Sequence, residues 1–105
     1  MDEYTLAKEF VNVFCESSAT QFHCLLKTLS NHQIKIIVTI CYNILENKLL
    51  GLTQGEKQKL KPHLNIYILL CDKSKSIKLK KEIISRNPVS IRKLLNALKA
   101  VNGRI

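Results

Sequence analysis

The side chains best equipped for chemistry are four cysteines and three histidines, at positions 15, 23, 24, 32, 41, 63 and 71. A structural zinc site would gather them through C-x₂-C or H-x₃₋₅-H spacing, and neither spacing occurs. Cys41 and Cys71 fall on apolar stripes, where a free thiol behaves as a small hydrophobe. Cys24 follows His23 directly, but consecutive helical residues point about 100° apart, so they do not pair as nucleophile and base. Most carboxylates sit where helices begin, and capping accounts for them. The segment from Gly51 to Gly55 lacks the G-K-[ST] ending of a phosphate-binding loop. These residues predict no enzyme, no metal and no cofactor.

Cations remain. Lys57, Lys59 and Lys61 lead into Lys73, Lys75, Lys78, Lys80 and Lys81, and Arg86, Arg92, Lys93, Lys99 and Arg104 follow. Residues 53–105 hold thirteen Lys or Arg against Glu56, Asp72 and Glu82, a balance of 13 − 3 = +10. Residues 1–52 hold four Lys against five carboxylates, 4 − 5 = −1. That split points to an anionic partner for the second half: nucleic acid, an acidic membrane surface or an acidic protein. For any one lysine the alternative is a solvated helix face. Lysine outnumbers arginine ten to three in this half, and the one aromatic there, Tyr67, is a core candidate. Base reading and single-strand stacking are therefore not expected, and contact with the phosphate backbone is. The candidate contacts are Lys73, Lys75, Lys78, Lys80, Lys81, Arg86, Arg92, Lys93 and Lys99.

The elements that must carry these residues read as helices. Apolar spacing is helical nearly throughout the 105 residues, with three Gly and two Pro. A first helix over 2–16 carries Leu6, Phe10, Val13 and Phe14 on one stripe. Ser18 with Gln21 opens a second over 19–29, and Ser30 with Gln33 a third over 31–49, both through S-x-x-Q capping boxes. The third is apolar around most of its circumference, as a buried helix is. Its β-branched residues leave a strand over 34–42 as the competing reading. Thr53 and Glu56 cap a fourth helix reaching about 72, with Leu60, Leu64, Tyr67, Ile68 and Cys71 as its core stripe. Pro62 should kink or split it near 58–61. A fifth spans 75–86, with Ile77 and Ile84 on one side and Leu79 and Ile83 on the other. A sixth starts at Asn87-Pro88, lines Ile91, Leu94, Leu95, Leu98 and Val101 along one face, and stops at Asn102-Gly103. The expectation is one all-α domain over 1–105, a compact bundle of about six short helices around a buried central third helix.

Asp2 and Glu3 stand where a signal peptide needs basic residues, so an intracellular, reduced setting is expected. No apolar run reaches the length of a membrane span.

Three stretches carry a family resemblance: Asn43 to Leu45, Leu52 to Leu60 (LTQGEKQKL) and Lys75 to Ile84 (KSIKLKKEII). They are similar to N-x-L-x-G, L-T-x-x-Q-K-x-x-L and K-x-S-x-K-x-K-K-x-L in small basic helical proteins of Maverick/Polinton elements and their adintovirus-like relatives. The resemblance covers about 25–84. It implies a component of a double-stranded DNA virus-like element, in the virion core or associated with the genome, and a nuclear or virion location. Such proteins commonly continue into a glycine-glycine-phenylalanine apolar tail. This chain has Asn87-Pro88 and another amphipathic helix instead, so a role tied to that tail is not expected.

The functional expectation is a non-enzymatic helical protein that binds nucleic-acid backbone through its basic half. The alternative is a helical protein-interaction module, such as a death-fold-like adaptor or a viral assembly bundle, working through a protein partner or a second copy. Membrane binding through the last helix is weaker, since that helix has no Trp or Phe at its boundary.

Overall fold

A computed structural model describes the backbone of residues 3–46 and 51–103, with side chains over 9–46 and 51–101. The helices are α1 (Glu3–Glu16), α2 (Ala19–Lys27), α3 (Asn31–Leu45), α4 (Gln54–Leu60), α5 (Leu64–Cys71), α6 (Ile77–Arg86) and α7 (Pro88–Gly103). A single 3₁₀ turn, Lys61–His63, joins α4 to α5. No strand occurs among the described residues, and the competing strand reading of 34–42 gives way to α3.

Local chemistry sets most of these boundaries. Ser18, Ser30 and Thr53 each accept from the N–H three residues on, while Gln21, Gln33 and Glu56 accept from the cap N–H in return. Ser76 caps α6 by accepting from the Leu79 N–H at 3.1 Å. Pro88 opens α7 immediately after Asn87. Pro62 lacks an N–H and obstructs an α-helical turn, so the expected fourth helix breaks into α4 and α5. With α4 and α5 counted as one broken helix, the described residues form the six expected elements. The end expected for the third helix, 46–49, lies partly outside the described residues, and α7 runs through the expected stop at Asn102-Gly103.

The core collects Phe10, Val11, Phe14, Phe22, Leu26, Leu29, Ile34, Ile37, Ile40, Cys41, Leu60, Tyr67, Leu70, Ile84 and the α7 stripe from Ile91 to Leu98. α3 buries four side chains against α5, α6 and α7 while opening Lys35, Thr39 and Tyr42 to solvent. α7 shares the centre with it, touching α1, α2, α3, α4 and α6.

Three described side chains depart from the expected stripes. Val13 is 58% exposed and Val11 is buried in its place. Ile68 is 55% exposed, because the 3₁₀ turn resets the helical phase and α5 buries Leu70 beside the expected Tyr67. Leu79, expected on the second side of its helix, is also exposed. Leu6 lies outside the described side chains.

A buried tie holds the broken helix in place. The Tyr67 hydroxyl donates to the Ser90 carbonyl at 2.7 Å, and His63 Nδ1 lies 2.7 Å from Ser90 Oγ. The turn and α5 are thus both fastened to the first turn of α7.

Candidate nucleic-acid interface

The predicted cations fall on α6, α7 and the loop before α6. Lys73 is exposed in that loop. Lys75 is half-buried and pairs with Asp72 at 3.6 Å. Asp72 Oδ1 also accepts from the Ser74 hydroxyl at 2.7 Å and the Ser74 N–H at 2.9 Å. Those two bonds, then Lys75, hold the Asp72 carboxyl below its usual range.

On α6, helical geometry places Lys78 and Lys81 about 60° apart on one flank, with Lys80 about 100° from Lys81 on the other. The core contacts Ile77 and Ile84 run between these flanks. Lys80 faces the end of α5, where it acts on the Cys71 thiol; burial pushes that thiol up and Lys80 opposes the rise. Arg86 is exposed and holds Glu82 at 3.0 Å, an i,i+4 pair.

On α7, Arg92 and Lys99 face α1. Both act on Cys15, whose thiol is pushed up by burial and drawn back by Lys99, then Arg92. Lys93 is exposed about 100° around the helix from Arg92. The nine residues therefore do not line one face. The structure brings together Lys78 with Lys81 on one flank of α6 and Arg92 with Lys99 on the α1 side of α7, while Lys73 and Lys75 share the loop before α6. Lys80 and Lys93 stand apart on other flanks.

Arg92 is already engaged. Its Nη2 donates to the Ser17 carbonyl at 2.6 Å, and its guanidinium carbon sits 5.0 Å from the centroid of the Phe22 ring. It clips α7 to the α1–α2 corner, and sequence reasoning missed this because Arg92 and Ser17 are 75 residues apart.

Elsewhere, an open groove of about 630 Å³ runs between α1 and α2, lined by Val13, Glu16, Ser17, Cys24 and Leu25 among others. No group of three or more His, Cys, Asp or Glu able to hold a metal occurs among the described residues. The His63–Ser90 contact pairs a base with a hydroxyl, but Ser90 is 7% exposed, too buried to meet a substrate. No described helix is long and apolar enough to cross a membrane. None of the protein-family models, curated proteins or solved structures compared with the chain matches it.

Proposed function

We propose that the protein binds the phosphate backbone of nucleic acid, without reading sequence, through the lysines of its second half. One observation carries this reading: every carboxylate in that half is already committed. Glu56 caps α4, Asp72 serves Ser74 and Lys75, and Glu82 serves Arg86. Lys73, Lys78, Lys80, Lys81, Lys93 and Lys99 have no ion-pair partner among the described residues. Their charge is left for an external anion.

The placement of two of them, together with the paired Lys75, adds support. Lys73, Lys75 and Lys78 crowd the start of α6, the positive end of its dipole, and its first turn contains no acid. Cations there oppose the dipole by a few tenths of a kcal/mol each at a surface site, roughly. A phosphate group relieves that repulsion. Lys78, Lys80, Lys81, Lys93 and Lys99 project from helices, and Lys73 and Lys75 from the loop before α6. A genome-associated role of the kind the family resemblance implies would draw on this binding.

The test is titration of the full chain with duplex DNA at two salt concentrations. Neutralising three to five phosphates gives a slope of log K against log salt of roughly −2.7 to −4.5. No binding at low salt, or an affinity indifferent to salt, would overturn the reading.

A further inference from the structure

The stretch Leu64–Cys71 contains no charged residue, and its clearly polar groups are Asn65 and the Tyr67 hydroxyl. A helix that is apolar all round belongs in an interior. α5 nevertheless leaves Ile68 55% and Leu69 40% exposed. α3 and α6 pack beside it, and each adds one more exposed large apolar side chain, Tyr42 and Leu79. Four of the six such side chains among the described residues thus gather around one helix.

The register of α3 and α5 shows how part of this patch is arranged. The Cys71 thiol points at the Val38 carbonyl, 3.8 Å away, while Tyr67 and Cys41 are close enough to influence each other. The helices therefore run antiparallel. Ile68, almost one turn before Cys71, comes level with Ile40 and Cys41, midway between Lys35 and Glu46 and within about two residues of Tyr42.

Charge on α3 identifies the occupant. Tyr42 and Glu46 follow Lys35 by seven and eleven residues, so all three point within about 20° of one direction. Lys35 and Glu46 are exposed, stand about 16 Å apart along the helix, and have no ion-pair partner among the described residues. A strip with a cation at one end, an acid at the other and an aromatic between them is complementary to itself after a half-turn.

We propose that the α3–α5 face docks a second copy of this chain about a two-fold axis. Tyr42 and Ile68 of both copies meet near the centre, and Lys35 of each lies against Glu46 of the other. Both members of the ion pair come from the same strip, as an isologous contact requires. An anionic membrane would instead call for a rim of one sign. The net charge of +9 opposes association, so the dimer forms in a concentration-dependent way.

Sedimentation velocity over a concentration series, without nucleic acid, tests this independently of the proposed DNA binding. The expected result is a dimer that Ile68→Lys abolishes. Lys35→Glu and Glu46→Lys each weaken it about ten-fold, since each disturbs two symmetric pairs, and the double variant restores it. All three positions are exposed, and circular dichroism confirms that each variant is folded. A monomer at every concentration overturns the proposal. So does a dimer indifferent to Ile68→Lys, or single charge reversals that the double variant fails to rescue.

Discussion

Replacing Arg92 by Met separates architecture from binding within the basic half. Methionine keeps an unbranched apolar stem and discards the guanidinium. The variant loses the 2.6 Å bond to the Ser17 carbonyl and the cation over Phe22. A hydrogen bond from a charged donor contributes about 1.5–3 kcal/mol, and a partly exposed cation–π contact about 0.5–1. The two share one group and do not add fully, so a loss of about 2–3 kcal/mol is expected. For a domain of this size each kcal/mol lowers the melting temperature by about 4–8 °C, giving a fall of about 8–24 °C. Circular dichroism melting reads it directly. Arg92→Lys keeps the charge without the planar fork, so it should lose part of that stability while binding duplex DNA as the parent does. If Arg92→Met melts like the parent but binds DNA much more weakly, Arg92 is a phosphate contact and the clip reasoning fails.

Other outcomes follow from the same geometry. Lys78→Gln combined with Lys81→Gln should lower DNA affinity and flatten the salt slope by up to about 2, with the melting temperature unchanged. Tyr67→Phe removes the donor to the buried Ser90 carbonyl and should cost about 1–3 kcal/mol in urea denaturation; an unchanged midpoint would refute the tie. Burial raises the Cys41 thiol and the Tyr67 hydroxyl above their ordinary values of 9.0 and 10.0. Groups raised by folding contribute stability fully present below those ordinary values and lost as pH rises through the folded ones. Urea midpoints should therefore hold to about pH 9 and then fall, with a shallower decline in Tyr67→Phe. A flat profile up to about pH 11 would contradict the burial argument.

The parts of this molecule legible in sequence are those decided within one turn. The three capping boxes pair residues three apart, so Ser18, Ser30 and Thr53 announce α2, α3 and α4 directly. Pro62 announces its break for the same reason. What the break does to everything after it is not local. A 3₁₀ turn shifts the helical phase by an amount the sequence does not state, which is why Ile68 reads as core and emerges exposed. In the candidate interface, periodicity within α6 already separates Lys80 from Lys78 and Lys81. The engagement of Arg92 has no such signal, because its partners Ser17 and Phe22 come from the other end of the chain.

The break at Pro62 also sets the size of the molecule. An uninterrupted helix over 54–71 would be about 27 Å long at 1.5 Å per residue. The whole protein measures 32 × 28 × 27 Å. Such a rod would cross the entire globule, with both ends in water and only one stripe to offer a core. Divided at Lys61–His63, the same residues make two short covers: α4 closes over α7, and α5 over α3. One missing N–H turns a strut into two panels, and so lets a chain of 105 residues enclose an interior.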